Sequence, residues 1–344
     1  MVFMGLKMKL NKIFLIPFCF VLLSTFAFAG QNTVNPPVDN TSSAVVDDSK
    51  SGIDEKTQTI LDKIGFGKFV DSNSTKEIES FFKTFEKYTE KGDIEKLKAL
   101  YSDDFVNNDG FDKKTYFDLI TLVSDMYEDA QYKMNITSVH RDGDYAYAYV
   151  NEVASANTTE KYNENTGIGV VKSNSLYLFH LQKISGKWKI CALDTLSEQT
   201  SLVYGDALPL DFEIKAPTKV KQGTDYIIDF EIKNMPKDAV LIASITNDPI
   251  VYPQVNREEV FRTLKKNKNL ERIVKANSDN YNEYATVSLG VTKAGVIKNG
   301  EDIDMIKIYM TGMAFVMSRV NVEKVINHKV EHKSAEKVKD AEAN

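Results

Sequence analysis

Apolar residues in the first half of the chain recur at intervals of three and four, the spacing of one helix face. The first predicted helix starts at a cap formed by Ser74 or Thr75 and ends at Gly92. Asp93 starts a second helix, and Asp112 caps a third. We expect the apolar faces of these helices to pack against one core. They carry Ile78, Phe81, Phe82, Phe85, Tyr88, Leu97, Leu100, Tyr101, Tyr116, Leu119, Ile120, Val123 and Met126.

The period of the pattern then changes from 3.6 to 2, which is the alternation of a strand. A hairpin turn at 141–144 joins the first two strands, because Gly143 can adopt a positive φ. The strand after this turn carries a tyrosine at every second position, namely Tyr145, Tyr147 and Tyr149. The other elements predicted in this region are a polar loop over 158–169 and strands over 132–140, 176–184 and 187–196.

The second half of the chain is predicted to be mainly β, with one helix. The helix over 257–276 is indicated by apolar residues at helical spacing, from Val260 through Leu264 to Ile273. The charged segment from His328 to Asn344 is expected to fray. The predicted strands lie at 210–217, 225–234, 240–245, 284–291, 305–310 and 314–322.

The N-terminal segment has the composition of a signal peptide. Lys7, Lys9 and Lys12 precede an apolar run over 13–26, and the small residues of Ala27-Phe28-Ala29 follow it. The run is shorter than the ~20 residues that span a bilayer, so we expect cleavage at this site rather than a retained anchor. No membrane span is expected after cleavage.

The length of the chain predicts two domains. It has 344 residues, more than the ~250–300 at which one hydrophobic core usually stops growing. We expect the first domain to be α+β, with three helices and a curved antiparallel sheet, and the second to be mainly β. The predicted division is a signal peptide at 1–29, a disordered linker at 30–52, the α+β domain at 53–204, the β-rich domain at 208–326 and a charged flexible tail at 327–344.

Charge and cysteine content narrow the class of partner. The formal charge of −6 becomes −9 after cleavage, because residues 1–29 hold three lysines and no acids (−6 − 3 = −9). This balance argues against nucleic acid, whose phosphates require clustered Lys and Arg. Cys191 would be the one cysteine left, so no internal disulfide can form. An exported protein without disulfides fits a bacterial periplasm or exterior better than a eukaryotic secretory route.

Three stretches of the middle third carry recognisable packing motifs. Residues 81–106, FFKTFEKYTEKGDIEKLKALYSDDFV, hold two helices joined at a Gly-Asp break. Residues 140–150, HRDGDYAYAYV, and 177–195, YLFHLQKISGKWKICALDT, supply a hairpin strand and the paired final strands. Three helices followed by long strands resemble the nuclear-transport-factor-2-like (polyketide-cyclase/ketosteroid-isomerase-like) superfamily. Residues 217–234, PTKVKQGTDYIIDFEIKN, resemble the first strands of an immunoglobulin-like β-sandwich module.

The resemblance implies a cone with an inner face that packs on the helices. In the tyrosine strand the small residues resemble this inner face, so the three tyrosines should point outward. We expect the tyrosines to form a packing surface, a contact for the second domain or a homodimer interface. The inner set is Ala146, Ala148, Val150 and Glu152, and the outer set is Tyr145, Tyr147 and Tyr149.

The family's enzymes work inside the cone, which makes four residues candidates for a ligand pocket. Glu152 points towards the mouth, and His180 lies on the adjacent strand, so the two are candidates for a catalytic pair. Tyr101 and Tyr116 come from the helical region. The alternative interpretation is a half-buried histidine held by a carboxylate, or residues at the solvated rim. No aspartate base of the isomerase type is evident in the sequence.

No metal and no cofactor are expected. The acidic residues between 103 and 112 lack the spacing of a calcium loop and its distal glutamate, so helix capping is the better interpretation. His328 and His332 have the spacing of two zinc ligands on a helix but no third ligand. Cys191 is interpreted as a core thiol.

Three functions remain open from the sequence. The first is an exported, non-catalytic binding or interaction protein of the bacterial envelope or exterior, with a small-molecule or protein ligand. The second is a small-molecule isomerase, dehydratase or cyclase that uses the cone. The third is a glycan- or peptidoglycan-binding module. A glycan-binding groove usually exposes tryptophan, and the only tryptophan in the sequence, Trp188, occupies a position that the family buries, which argues against this function.

The signal-peptide prediction is tested by N-terminal sequencing of the exported protein. We expect the mature chain to begin at Gly30, because the Ala-Phe-Ala site ends at Ala29. A mature chain that still begins at Met1 or Met8 would refute the prediction of export by a cleaved signal.

Overall fold

The computed structural model describes residues 72–236, 238–254, 259–264, 269–299 and 302–323. In this part of the chain the protein is α+β, with mostly antiparallel strands. The predicted signal peptide, the linker, and the tail with His328 and His332 lie outside the described residues.

Two of the three helices start where the sequence places their caps, whereas the first starts at Ser72, before the predicted cap at Ser74 or Thr75. The Asp93 side chain accepts a hydrogen bond from the Lys96 backbone N–H at 3.1 Å, and Asp112 accepts one from Thr115 at 2.8 Å. Both predicted caps are confirmed. None of the helices described is long and apolar enough to cross a membrane. The helices are α1 (Ser72–Glu90), α2 (Ile94–Lys98) and α3 (Lys113–Ser124).

Thirteen strands in the described residues form two sheets. Ten belong to one mixed sheet in the order β10-β9-β12-β13-β5-β4-β3-β2, with β1 parallel to β5 and β7 parallel to β13. The other sheet has the order β11-β8-β6. The strands are β1 (Tyr101–Asn107), β2 (Tyr127–Asp142), β3 (Tyr145–Lys161), β4 (Ile168–Ile184), β5 (Lys187–Gly205), β6 (Phe212–Lys215), β7 (Lys219–Lys221), β8 (Asp225–Ile232), β9 (Val240–Pro249), β10 (Arg262–Thr263), β11 (Leu270–Lys275), β12 (Glu283–Asn299) and β13 (Asp302–Glu323).

Strand β5 joins the two halves of the chain in one sheet. One edge of β5 pairs with β4, and from Gln199 to Gly205 the other edge pairs with β13. The predicted domain boundary between Leu202 and Leu208 falls at the end of β5 and in the turn after it. Division into separable units stays a prediction, which limited proteolysis tests.

The large sheet packs a hydrophobic cluster on each face. On the inner face, α1 and α3 cover β2 to β5, where the Phe82 and Phe179 rings meet edge to face at 5.2 Å. Trp188, with 8% of its surface exposed, belongs to this cluster, as predicted. On the outer face, β9, β12 and β13 pack against the three-stranded sheet through residues such as Val287 and Ile228.

Several boundary predictions are wrong, and one of them is Tyr101, which was predicted on a helix face but begins β1. The predicted helix over 257–276 contains strands β10 and β11 in its described part. The apolar spacing there is misleading because Ile273 is 70% exposed while its neighbour Val274 is buried, which is the alternation of a strand. Strand β4 starts at Ile168, inside the predicted polar loop over 158–169, because Ile168 pairs with β3 and the residues from Gly169 onward pair with β5.

A buried ion pair ties the second half of the chain to the helical half. The Arg319 guanidinium on β13 donates to Asp109 at 2.5 Å, and both side chains are 1% exposed. Asp109 lies in the loop between β1 and α3. Asn282, just before β12, donates to Asp109 at 2.8 Å and to the Asn108 carbonyl at 3.0 Å. The loop that follows β1 is therefore fixed to β12 and β13 by charged and polar contacts.

Removing one partner of this ion pair is expected to be strongly destabilising. Arg319→Met leaves the buried Asp109 charge without its cation, which costs about 3–5 kcal/mol of unfolding free energy. Urea titration of the variant measures the loss. The control is Lys114→Met, which removes an exposed i,i+4 pair with Asp118 and should cost less than about 0.5 kcal/mol. Similar losses for both variants would show that the buried pair contributes little.

Candidate functional site

Strand β3 separates the sequence-predicted site residues onto two faces. Glu152 is 1% exposed and lies on the same face as Ala146, Ala148 and Val150, which are equally buried. Tyr145 and Tyr147 are 54% and 42% exposed on the opposite face. This is the alternation that the sequence predicts. The inner and outer faces of β3 thus hold different chemistry.

The Glu152 carboxyl is the most unusual group on the inner face. Neither of its oxygens forms a hydrogen bond of ordinary geometry with the described residues, and the same holds for the buried Tyr132 hydroxyl. Burial raises the pKa of Glu152 well above its usual range. The nearby Tyr132 hydroxyl opposes this rise, and the negative charge of Glu198 adds to it. Burial therefore favours the protonated, neutral form of Glu152.

Glu198 on β5 is a second buried acid on this face, but its oxygens are satisfied. It accepts hydrogen bonds from the Tyr284 hydroxyl at 2.9 Å and from Thr200 at 3.1 Å. Burial raises the pKa of Glu198 to about 7, although the Arg319 charge opposes the rise. Thr200 also shares a hydrogen bond of 2.8 Å with Ser173 on β4. These contacts form a polar line across the inner face from β4 to β12.

The structure does not bring Glu152 and His180 together. In the β3–β4 register Glu152 pairs with Ser175, and His180 pairs with Tyr147. Five residues separate Ser175 from His180, so their side chains point to opposite faces. His180 Nε2 instead lies 2.9 Å from an oxygen of Asp194 on the outer face. The two candidates for a catalytic pair, Glu152 and His180, therefore lie on opposite faces of the sheet.

The outer face carries a row of rings across β2, β3 and β4. The Tyr147 ring meets His180 edge to face at 5.2 Å, and it stacks on His140 at 6.4 Å between centroids. Tyr145 accepts a hydrogen bond from Gln182 at 3.2 Å. Tyr149, further along β3, is half-buried. Aromatic rings and a histidine–carboxylate pair are therefore available on an open sheet surface.

Tyr101 and Tyr116, the other two pocket candidates, lie in a packed aromatic cluster. They are 1% and 2% exposed. The Tyr101 ring centroid is 4.8 Å from that of Phe105 and 5.0 Å from that of Phe117. Side chains therefore pack closely around both tyrosines.

Two surface clefts lie away from the predicted site residues. One, of about 470 Å³, runs between α1 and the edge strand β2. The other, of about 330 Å³, lies between β6 and the outer side of β3 to β5. Neither is lined by Glu152, His180, Tyr101 or Tyr116.

The sequence analysis missed Tyr132, Glu198 and Arg319. The last strand of the meander was predicted to end at residue 196, which left Glu198 outside it. Register shifts of β4 against β5 also interrupt the alternation before Glu198. Tyr132 could have been found, because it lies in the alternating pattern of β2. No local signal indicates that Arg319 meets Asp109, which is far away in the sequence.

No protein-family model matches the chain, and no curated protein matches it by sequence. Solved structures of the nuclear-transport-factor-2-like and cystatin-like folds match part of it. A protein assigned as a scytalone dehydratase from Novosphingobium aromaticivorans is 15% identical, with a TM-score of 0.30, over 40% of this chain and 86% of its own. A type 2 hexachlorocyclohexane dehydrochlorinase is 16% identical, with a TM-score of 0.26, and the match covers 30% of this chain and 70% of the dehydrochlorinase. A nuclear-transport-factor-2-like protein of unknown function from Pseudomonas putida is 17% identical, with a TM-score of 0.28. This match covers 36% of this chain and 87% of the Pseudomonas protein.

The buried Glu152 carboxyl predicts a pH-dependent stability. An acid whose pKa is raised on folding binds more protons in the folded state than in the unfolded state. Its contribution to the unfolding free energy is therefore lost as pH rises from about 4.5 through the folded pKa. Urea titrations should therefore give a lower unfolding free energy at pH 8 than at pH 5. Glu152→Gln should reduce that difference by at least about 1 kcal/mol.

The control for this prediction is Glu95→Gln, which changes an exposed carboxyl on α2. We expect this variant to keep the wild-type difference between pH 5 and pH 8. An unchanged difference in Glu152→Gln would mean that Glu152 is ionised in the folded protein.

Proposed function

We propose that this chain is an exported, non-catalytic interaction protein of the bacterial envelope or exterior. Its first domain would be a cone of the nuclear-transport-factor-2-like type, and the outer sheet face of that domain would bind a second copy of the chain. The exposed row of rings on β3 and its neighbours carries this proposal. Export rests on the predicted signal peptide at 1–29.

The packing of the inner face supports a non-catalytic role. Buried aromatic side chains fill the region around Tyr101 and Tyr116. Among the described residues Glu152 has no histidine beside it, because His180 lies on the other face. The histidine–carboxylate arrangement of many proton-transfer sites is therefore not formed there.

The chemistry of the outer face supports a protein partner. Tyr145, Tyr147 and Val153 are 54%, 42% and 47% exposed along one face of β3. Tyrosines supply a large apolar area together with a hydroxyl that can remain hydrated, which suits a surface that alternates between water and a partner. His180, held by Asp194, borders this area and adds a polar contact. A second copy of the chain presents the same complementary surface through twofold symmetry.

The second half of the chain would act as a spacer or further contact surface. Its two sheets pack face to face through buried aliphatic residues, as an immunoglobulin-like sandwich does. The pairing of β13 with β5 would hold this half rigidly against the first. A rigid connection fixes the direction in which the outer face of β3 is presented.

A second candidate function, a small-molecule enzyme of the isomerase, dehydratase or cyclase type, is favoured by one observation. Glu152 is a buried acid with a raised pKa beside the Tyr132 hydroxyl. Such a carboxyl can donate a proton or a hydrogen bond to a substrate oxygen. This function needs a cavity beside Glu152 that a substrate can enter.

The interface proposal predicts the behaviour of Tyr147→Lys. The substitution puts a charge in the middle of the tyrosine face, which should abolish dimerisation while the chain remains folded. Analytical ultracentrifugation measures the assembly state, and circular dichroism checks the fold. The matched control is Tyr309→Lys, because Tyr309 on β13 is 40% exposed, close to the value for Tyr147. The control should keep the wild-type assembly state.

A different outcome would favour a ligand-binding surface over a homodimer interface. If Tyr147→Lys keeps its assembly state but loses a small molecule seen by native mass spectrometry in the wild type, the tyrosine face binds a ligand instead. A wild-type chain that is monomeric at all concentrations tested would refute the homodimer.

A further inference from the structure

The three-stranded sheet exposes two isoleucines on the face that points away from the large sheet. Ile227 on β8 and Ile273 on β11 are directly opposite each other in the register. They are 54% and 70% exposed, whereas their neighbours Ile228 and Val274 are buried. The pair forms an apolar spot at the centre of this surface, which we call the Ile227/Ile273 face.

Carboxylates that repel one another surround this apolar spot. Asp229 is directly opposite Glu271, and Glu213 is directly opposite Glu231. Like charges in directly opposed positions destabilise a sheet. One Asp229 oxygen is buried and receives no hydrogen bond from the described residues.

Few cations on this face offset these charges. Lys215 reaches the Glu213 and Glu231 carboxylates only at 3.6 and 3.9 Å, and Lys233, just after β8, reaches Glu213 only at 3.8 Å. The face holds two lysines and five carboxylates at its strand positions, a net charge of −3 (2 − 5 = −3). They are Lys215, Lys275, Asp225, Asp229, Glu231, Glu213 and Glu271. A segment that carries both lysines and aliphatic side chains would complement this surface in charge and in polarity.

The chain itself continues from the edge of this face. The last described residue, Glu323, accepts a hydrogen bond from the Gln222 backbone N–H at 3.0 Å. Gln222 lies just before β8, and the Ala276 N–H after β11 donates to the Thr224 carbonyl at 2.9 Å. Residue 324 therefore starts beside the end of the sheet where β8 begins and β11 ends.

The sequence that follows has the complementary composition. Residues 324–339, KVINHKVEHKSAEKVK, contain five lysines and two glutamates, a net charge of +3 (5 − 2 = +3). Val325, Ile326 and Val330 supply aliphatic side chains between the lysines. Strand β8 is about 25 Å long, while 16 residues can extend to about 50 Å, so the segment is long enough to cross the face.

We propose that residues 324–339 bind over the Ile227/Ile273 face of the same chain. The aliphatic side chains would cover the two isoleucines, and the lysines would neutralise the opposed carboxylates. Because the segment is attached at the edge of the face, its effective concentration there is in the millimolar range, far above that of a separate partner. The sequence expectation of a fraying tail would then hold only when this contact is lost.

Trypsin cleavage within residues 324–339 tests this proposal in the full chain. The cleavage rate follows the fraction of molecules in which the segment is undocked. Ile273→Lys removes one isoleucine and repels the lysines of the segment, so it should raise the rate about tenfold if about nine-tenths of the segments are docked in the wild type. The control is Ile308→Lys, because Ile308 on β13 is a 74% exposed isoleucine at another site, and it should leave the rate unchanged. Thermal melting of both variants checks that the fold is intact.

Equal cleavage rates in the wild type and in Ile273→Lys would overturn the proposal. Carboxylate–amine cross-linking of a mixture of isotopically labelled and unlabelled chains supplies a second measurement. We expect links from Lys324, Lys329 or Lys333 to Asp229 or Glu271 within one chain. Links only between chains would identify a second copy as the occupant, and the absence of these links would leave the face for a separate basic partner. Either result would refute docking within the chain.

Discussion

The buried pair of Arg319 and Asp109 is the contact on which the arrangement of the two halves depends. Both charges lie out of water, so each requires the other and the amides that surround them. Satisfying them positions β13 against the loop after β1. This position in turn aligns β13 with β5, and the two strands continue one sheet through both halves of the chain.

The continuous sheet explains why its two faces differ in chemistry. The helices cover the inner face of β2 to β5, and the three-stranded sheet covers the outer face of β9, β12 and β13. The outer face of β3 near Tyr147 is left without a helix or a sheet over it in the described part of the chain. Successive side chains of a strand point to opposite faces, so each polar residue of these strands faces either the inner or the outer side of the sheet. Glu152 faces the inner side and His180 the outer side.

The two buried acids on the inner face, Glu198 and Glu152, differ in how their carboxyl groups are stabilised. Glu198 is compensated by two hydroxyl donors and by the Arg319 charge nearby. Glu152 lacks such donors, and protonation is how a carboxyl in this position avoids the cost of a buried charge. The nearby Tyr132 hydroxyl opposes part of the rise in the Glu152 pKa that burial causes. The inner face is therefore polar along β4 and β5 but aromatic around Tyr101.

The sequence by itself determined the local features, because their causes are local. Capping by Asp93 and Asp112, the hairpin at Gly143 and the two faces of the tyrosine strand each follow from residues close together in the chain. Tertiary structure alone decided the rest. The strand at 270–275 forms because β8 pairs with it, the Arg319–Asp109 pair joins residues distant in sequence, and register against β4 decides which neighbours His180 meets. Long-range pairing leaves no periodic mark in a single sequence, so these contacts could not be read from it.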